Sequence, residues 1–222
     1  MGDLSLVQLI SIWILPLVFA ITLHEVAHGW AAKVLGDRTA EKMGRLSLNP
    51  VHHIDPVGTL LVPGVLLLMG KLMGGGGFIF GWAKPVPVDF GKLRRPRLDM
   101  ALVALAGPMA NLLMAIFWAL MVRAAHAIHF EFITVPLGLM GVAGIAINLV
   151  LMVLNLMPIL PLDGGRIVAA MLPPRLSYSY AKLEPYGFII LLILIATHSL
   201  SFFLDAPLQF LQGLLFVLAG MR

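Results

Sequence analysis

The sequence predicts an all-α polytopic membrane protein, and three properties of its composition lead to that class. The chain has 222 residues, of which 60% are hydrophobic and only 12% are charged. A soluble domain has roughly 45–50% apolar residues and about 25% charged ones, so this chain has too little charge to cover a surface in water. The mean hydropathy of +0.98 likewise excludes a disordered chain. Cysteine is absent, which excludes disulfides, thiolate metal ligands and a cysteine nucleophile.

Five charge-free apolar runs set the predicted membrane spans, because a helix needs about 20 residues to cross the hydrocarbon. The runs cover residues 4–23, 100–122, 132–162, 185–204 and 206–220. The third is long enough to hold a span and a further element, and the last is marginal in length. A shorter run, residues 56–70, has Pro63 and Gly64 in its middle. It is predicted to re-enter the membrane or to lie along the interface, and a sixth span there is the alternative.

Clusters of lysine and arginine predict the orientation, since positive residues favour the cytoplasmic side. One cluster lies within residues 33–45 and another within residues 84–97, so we expect both in the cytoplasm. Alternation of the remaining spans then places the N-terminus outside and the C-terminus inside, in a multi-pass protein of the cell membrane. The same topology explains the net charge of +4, and nucleic acid is therefore not an expected partner.

The segment of residues 73–89 predicts a short β-hairpin-like element. Residues 78–80 and 85–88 are two extended-type stretches on either side of Gly81 and Trp82. Proline in the second stretch confines such a strand to an edge, and an exposed edge can pair with an extended peptide. A simple interfacial loop is the alternative.

The strongest local signal is a histidine pair in the first apolar helix, within the run His24-Glu25-Val26-Ala27-His28. Residues four apart share a helix face, so both imidazoles can bind one metal ion. Glu25 beside them can take a proton from water at that ion. A role as interfacial polar residues is the alternative, but ionisable groups in a membrane helix are costly and usually functional.

Two histidines leave a catalytic zinc one protein ligand short, and the absence of cysteine requires an aspartate, a glutamate or a further histidine. Three acidic residues lie at the predicted outer ends of spans: Asp3, Glu131 and Asp205. Four others lie among lysines and arginines, where a solvated face is expected: Asp37, Glu41, Asp89 and Asp99. The remaining candidates are Asp55, Asp163 and Glu184.

Asp163 is the preferred third ligand. It follows Pro158 and Pro161, which must break the helix, and it precedes Gly164 and Gly165, which permit unusual backbone angles. A broken membrane helix is tolerated only within protein or beside a water-filled cavity, as a buried hydrolytic site requires. The predicted topology places Asp163 at the same cytoplasmic depth as the histidine pair. An ordinary helix N-cap is the alternative.

Together these motifs resemble the site-2 protease family of intramembrane zinc metalloproteases, over roughly residues 20–170. The resemblance is carried by the histidine pair with Glu25, by Gly107-Pro108-Met109-Ala110-Asn111, and by Asn155, Pro158 and the run Leu162-Asp163-Gly164. Residues 49–59 and 81–88 are similar to a compact subgroup without PDZ or CBS domains.

The resemblance implies that His24, His28 and Asp163 bind one Zn²⁺ per chain and that Glu25 is the general base. It implies that Asn155 lies near the active centre, where its amide can hold a substrate carbonyl or the oxyanion; an interhelical hydrogen bond is the alternative. The implied substrate is a transmembrane protein in the lipid bilayer, and the active site faces the cytoplasmic side. The whole chain, residues 1–222, is then one integral membrane protease domain, with a catalytic core at about 4–172 and C-terminal helices at about 183–221.

Three further polar residues have less defined predictions. Asn111 lies on a small-residue face of its helix, for which close helix packing is the preferred explanation. His52 and His53 flank the 56–70 element. A surface role is expected for both histidines, with substrate contact or proton relay as the alternative.

Two other function classes stay open. A prenyl-type membrane zinc protease would take a glutamate as its third ligand, and Glu184 is the candidate. A metal transporter would use His24 and His28, but it needs polar residues along a path through several helices. The outer halves of the predicted spans are nearly bare of such residues.

Overall fold

The structure, a computed structural model, describes residues 5–61, 65, 81, 83–126 and 131–221. Four long helices form its frame: α1 (Leu6–Leu35), α3 (Pro96–His126), α4 (Glu131–Asn155) and α8 (Ser199–Leu218). The shorter helices are α2 (Thr39–Lys42), α5 (Asp163–Met171), α6 (Pro174–Ala181) and α7 (Glu184–Ala196). Two 3₁₀ turns cover Pro50–His53 and Phe90–Lys92, and a π-helical turn covers Pro56–Leu61.

The four long helices are each long and apolar enough to cross a membrane. A 20-residue helix spans about 30 Å, the thickness of the hydrocarbon core, and α8 has 20 residues. α6 and α7 are bent by 62° and qualify as a fifth span only when the pair is counted as one. The all-α polytopic prediction is confirmed, with four or five candidate spans among the described residues and no sixth. The span-or-re-entry question for residues 56–70 falls largely outside those residues.

The C-terminal helices divide at a different point from the predicted one. The apolar runs place the division at Asp205, but α7 ends at Ala196, and His198 adopts a left-handed conformation with φ of 56°. α8 then continues through Asp205, whose side chain is exposed. An exposed charge can lie on a helix whose opposite face is apolar, so a charge in the sequence does not by itself end a helix.

The predicted β-hairpin is wrong for the part of it that the structure describes. Residues 83–89 belong to no strand, and no strand occurs among the described residues; residues 78–80 and 82 lie outside them. Proline at two positions leaves no N–H for a ladder there, and the Val86 N–H between the prolines donates to Glu25 of α1. The segment therefore packs against a helix instead of pairing with a second strand.

The core lies where α3 and α4 pack together and α8 covers them. Its most buried side chains include Val122, Ile145 and Leu149. Glycine lets the helices approach, because a Cβ on Gly144 of α4 would overlap the indole ring of Trp118 on α3. Small residues generally permit such close packing of membrane helices. α1 packs against both α3 and α4, so three long helices hold the histidine pair.

Two acidic residues contradict the expectation of a solvated face. Asp37 is 0% exposed and Asp99 is 1% exposed. Asp37 accepts hydrogen bonds from the backbone and the hydroxyl of Thr39 and from the backbone N–H of Asp89, and Asp99 accepts one from the backbone N–H of Arg95. Burial opposes the ionisation of Asp37, but these hydrogen bonds outweigh burial and hold the pKa of its carboxyl below the ordinary value. Both residues therefore tie loops to helix ends.

His53 also contradicts the expected surface role. Its side chain is 2% exposed, and its Nε2 donates to the Ser47 carbonyl over 2.8 Å. The turn Pro50–His53 packs against α1, and the buried ring helps to hold it there. His52, the neighbouring residue, is exposed as expected.

Candidate metal centre

α1 places the two histidines of the motif on one face. His24 and His28 are one helical turn apart, and their Nε2 atoms are separated by 3.0 Å. Both rings lie against Gly107 of α3. A Cβ at that position would come within 2.6 Å of Cε1 of His24 and closer still to the His28 ring. A glycine is therefore required where α3 approaches the two rings.

Asp163 reaches the same point from a distant part of the chain. α4 ends at Asn155, and after a turn over residues 156–162 the chain begins α5 with Asp163. Oδ2 of Asp163 lies 3.3 Å from Nε2 of His24 and 3.3 Å from Nε2 of His28. The two prolines in the turn interrupt the helix as expected, and the interruption brings the carboxylate to the imidazoles.

Gly164 and Gly165 allow the chain to fold back after α4, but for a different reason from the predicted one. Neither is among the glycines with positive φ, and both are helical residues of α5. A Cβ on either residue would collide with the backbone of residues 156–160. Their absent side chains, and not unusual backbone angles, let α5 fold back onto the end of α4.

The hydrogen bonds of the two histidines fix which ring nitrogen faces Asp163. Nδ1 of His28 lies 2.7 Å from the Val103 carbonyl, and Nδ1 of His24 lies 2.6 Å from Oδ1 of Asn111. Both partner atoms only accept hydrogen bonds, so each Nδ1 carries the proton. In the neutral imidazole, each Nε2 then presents a lone pair to Asp163.

Asn111 of α3 orients His24 and links three helices. Its Nδ2 donates to the Ala20 carbonyl at 3.2 Å and to Oδ1 of Asn148 at 3.0 Å, which leaves Oδ1 for His24. Asn148 of α4 in turn donates to the Gly144 carbonyl at 2.8 Å. The packing interpretation of Asn111 is therefore incomplete. Sequence reasoning misses Asn148, whose one signal is a polar residue inside an apolar helix.

With neutral imidazoles, three electron-rich atoms thus converge: Nε2 of His24, Nε2 of His28 and Oδ2 of Asp163. Oδ2 of Asp163 is buried and receives no hydrogen bond from the described residues. Such a cluster is unfavourable unless a cation lies among its atoms. In tetrahedral zinc sites, ligand distances of about 2.0–2.2 Å place neighbouring donor atoms roughly 3.3 Å apart, close to the 3.0 and 3.3 Å found here. His24, His28 and Asp163 can therefore hold a metal ion.

A cavity of about 320 Å³ lies beside these three residues and includes the other predicted site residues in its wall. Glu25 lines it, and its Oε2 accepts a hydrogen bond of 2.7 Å from the Val86 N–H. Asn155 lines it too, with Nδ2 donating to the Leu151 carbonyl at 2.9 Å. Arg166 adds a positive charge to the same wall, which sequence reasoning does not assign.

The remaining candidate ligands lie elsewhere. Glu184 forms an ion pair with Arg166 at 3.4 Å. Asp55 accepts hydrogen bonds from the backbone of Val57 and Gly58 and so caps the following turn. Within the described part of the chain, the cluster on α1 and α5 is the one group of three or more such side chains close enough to share an ion.

Curated proteins similar to this chain match it over most of its length. One from Bacillus subtilis, named as the zinc metalloprotease YwhC, is 38% identical over 187 residues, which cover 83% of this chain and 80% of that protein. One from Mycolicibacterium smegmatis, named as the zinc metalloprotease Rip2, is 30% identical over 202 residues, which cover 89% of this chain and 71% of that protein. The Rip2 of Mycobacterium tuberculosis is 30% identical over 198 residues, covering 88% and 69%. No protein-family model and no solved structure matches the chain.

Proposed function

The chain belongs to the site-2 protease family of zinc metalloproteases, and we propose that it is an intramembrane zinc endopeptidase that hydrolyses peptide bonds in or near the membrane-spanning segments of other proteins. The observation that carries the proposal is the convergence of His24, His28 and Asp163 beside Glu25 in one cavity. α1 supplies the histidines and α4 leads into Asp163, and both helices are long and apolar enough to cross a membrane.

The two histidines and the aspartate are the proposed ligands of one zinc ion per chain. Catalytic zinc sites have three protein ligands and one open position, and this donor set fits that pattern. When bound, zinc polarises the substrate carbonyl and favours the ionisation of water at its open position. The Val103 carbonyl and Asn111 hold both imidazoles in the tautomer that binds a metal, as acceptors behind metal ligands commonly do.

Glu25 is the proposed general base. Its carboxylate lies on the cavity wall beside His24, and the Val86 N–H holds one of its two oxygens. The carboxylate takes a proton from the attacking water and later returns that proton to the leaving amine. This backbone hydrogen bond orients the carboxylate on the cavity wall and uses one of its two oxygens.

Asn155 is proposed to hold the substrate carbonyl or the oxyanion. An asparagine amide has two N–H donors, and one of them is used on the Leu151 carbonyl. The second can donate into the cavity that Asn155 lines. A fixed donor at a position where negative charge develops stabilises the transition state.

We place the site toward the cytoplasmic side of the cell membrane, with the lipid bilayer around the long helices. The histidine pair lies in the C-terminal half of α1, and a cluster of positive residues follows that helix within residues 33–45. Positive residues next to a span favour the cytoplasm. On α1, Ile10 and Ile14 are exposed, as contact with lipid requires.

The alternative functions have less support. A prenyl-type protease would require Glu184 as a ligand, but its carboxylate pairs with Arg166. A transporter would require polar side chains along a path through the helices. Two polar side chains are buried between the long helices, but Asn111 hydrogen bonds to His24 and Asn148 accepts from Asn111, so they support a proposed metal ligand.

The test compares the wild-type protein with Glu25→Gln, Asp163→Ala and Glu184→Ala, all purified in detergent. Zinc content is measured by elemental mass spectrometry, and cleavage is measured on a model transmembrane peptide. We expect the wild type to contain one zinc per chain and to cut the peptide. Glu25→Gln should keep the zinc and lose cleavage, because a neutral amide cannot accept the proton.

The two carboxylate variants separate the remaining classes. Asp163→Ala should lose both zinc and cleavage, and Glu184→Ala, the matched control, should keep both. The reverse pattern would favour the prenyl-type protease. Metal uptake into vesicles without cleavage of any peptide would favour the transporter.

A further inference from the structure

The carboxylate of Glu25 is held by one backbone group from outside its own helix. The Val86 N–H donates to Oε2 of Glu25 over 2.7 Å, and this is the hydrogen bond that the carboxylate receives from the described residues. Val86 belongs to the irregular segment 83–89, which has no sheet to support it. What holds this segment therefore determines where the Glu25 carboxylate points.

Arg45 holds the peptide group that carries this N–H. Nη2 of Arg45 donates to the Pro85 carbonyl at 3.3 Å and to the Lys84 carbonyl at 3.0 Å. The Pro85 carbonyl and the Val86 N–H belong to the same planar peptide unit. Arg45 therefore holds the carbonyl of this peptide unit, and Glu25 accepts a hydrogen bond from its N–H. A positive donor on the carbonyl also polarises the peptide and strengthens the N–H as a donor.

Other contacts confine the segment to this position. Gly29 lies one turn after Glu25 on α1, and a Cβ there would come 2.9 Å from Cγ1 of Val86, so the segment lies directly on that helix face. The Lys84 N–H donates to the His53 carbonyl at 2.9 Å. The segment is thus held by a close fit on one side and by hydrogen bonds at the peptides before Val86.

The side chain of Arg45 is itself partly buried at a cost. Its Nε is buried and has no hydrogen-bond partner among the residues that the structure describes, and a buried polar atom without a partner is unfavourable. The backbone N–H of Arg45 donates to the carbonyl of Ala40 at 2.9 Å, which anchors the residue beside α2. The hydrogen bonds from Nη2 to the carbonyls of Lys84 and Pro85 explain why the Arg45 side chain lies here.

We propose that Arg45 is a positioning residue for the hydrolytic reaction. It orients the Pro85–Val86 peptide, whose N–H holds the carboxylate of Glu25. The inference rests on the proposed function of Glu25 as general base. A general base must lie within about 2.6–3.2 Å of the proton that it removes, and a misplacement of about 1 Å can lower a rate on the order of 100-fold. Arg45 is not itself a lining residue of the cavity, and it reaches the cavity wall through its hydrogen bond to the Pro85 carbonyl.

The experiment measures kcat, KM and zinc content for Arg45→Met and Arg45→Lys with the model transmembrane peptide. Arg38→Met is the matched control, because Arg38 is an exposed arginine of the same region whose ion pair is with Glu41. We expect Arg45→Met to lower kcat by about 10- to 100-fold while KM and zinc content stay at the wild-type values. Arg45→Lys should recover part of kcat through its ammonium group, which keeps the positive charge but lacks the planar fork of the guanidinium, and Arg38→Met should match the wild type.

A second measurement does not depend on cleavage. Amide hydrogen exchange of the peptide covering residues 84–90 should be faster in Arg45→Met than in the wild type and unchanged in Arg38→Met. Faster exchange together with a kcat loss at constant KM supports the proposal. Wild-type kcat in Arg45→Met overturns it, and so does a kcat loss accompanied by zinc loss, which indicates a general structural role.

The proposal can also be judged if Arg45→Met does not fold or if the wild type is inactive. If Arg45→Met does not fold, Arg45→Lys alone is used: a lower kcat at unchanged KM and zinc content supports the proposal, and a wild-type kcat overturns it. If the wild-type protein cuts no peptide although it binds zinc, the proposed function fails and this inference fails with it. A wild type that cuts, combined with a fully active Arg45→Met, removes only the inference.

Discussion

Gly107→Ala is the substitution that tests the metal-site geometry most directly. The added Cβ would lie 2.6 Å from Cε1 of His24 and closer to the ring of His28. Non-bonded carbon atoms are optimally about 3.5–4.0 Å apart, so the two rings must move by roughly 1 Å relative to α3. The hydrogen bonds from His24 to Asn111 and from His28 to Val103 oppose that movement, because both acceptors lie on α3 as well.

The displacement is large for a metal site. Ligand distances in protein metal sites vary by about 0.2 Å, so a shift of roughly 1 Å at both imidazoles removes the fit to Asp163. Disturbing the groups that orient metal ligands costs about 10- to 100-fold in metal affinity. We expect Gly107→Ala to weaken zinc binding by at least that factor and to lower cleavage correspondingly.

The assay is a zinc titration of the metal-free protein in detergent against a chelator of known affinity. Gly138→Ala is the matched control, because Gly138 also lies in a long helix and a Cβ there meets no atom within 4 Å. It should bind zinc as the wild type does. A wild-type zinc affinity in a folded Gly107→Ala protein would refute the reasoning, since the rings would then have found room that the structure does not contain.

Three further predictions concern the groups around the site and the loops. Asn111→Leu removes the acceptor for Nδ1 of His24 and should lower zinc affinity by about 10- to 100-fold in the same titration, without changing the helix content measured by circular dichroism. Chelation of the metal should lower the thermal unfolding midpoint of the wild type but not that of Asp163→Ala, because an ion that binds only the folded state stabilises it. Hydrogen bonds from Thr39 and from a backbone N–H hold the pKa of Asp37 down. The ionised carboxylate therefore stabilises the folded state, and this contribution is complete above the unfolded pKa of about 3.9. It is lost as the pH falls through the lower folded pKa, so the midpoint of the wild type should fall more steeply below pH 5 than that of Asp37→Asn; parallel curves would contradict the assignment.

The meeting of the histidine pair with Asp163 follows from rules that can be read in the sequence. The helical period places residues 24 and 28 on one face. The lengths of the apolar runs place the end of α1 and the end of α4 at similar depth, and the two prolines end α4 where the chain must turn back. Membrane thickness and helix period are general constraints, so the residue pattern is enough to use them.

Gly107 and Asn111 show where reasoning from the sequence stops. A small-residue face predicts that another helix approaches, but it does not predict which side chains are met. The neighbours at this face are the two imidazoles, so the same residues that permit packing also shape the metal site. That second role depends on the rotation of α1 against α3, which no local pattern fixes.

The buried Asp37, Asp99 and His53 differ from prediction for another reason. Their hydrogen-bond partners include backbone groups, and nearly every residue in the chain carries such groups. A sequence pattern therefore contains no mark that distinguishes these polar side chains from exposed ones, and exposure is the ordinary expectation for aspartate. Their burial is decided by loop conformations that bring backbone groups to them.

The last prediction concerns the expectation from the sequence that the segment of residues 73–89 pairs with an extended substrate peptide. Val86 and Val88 line the cavity, but the Val86 N–H is already used by Glu25, so a Gly/Ser replacement of the segment would lower cleavage through the base alone. A change in the substrate separates the two effects. If an extended substrate pairs with the segment, alternate substrate amides point toward it, and N-methylation along the model peptide should lower kcat/KM at every second position near the scissile bond. A loss with no such alternation would contradict pairing while leaving the support of Glu25 intact, because the enzyme is the same in every measurement.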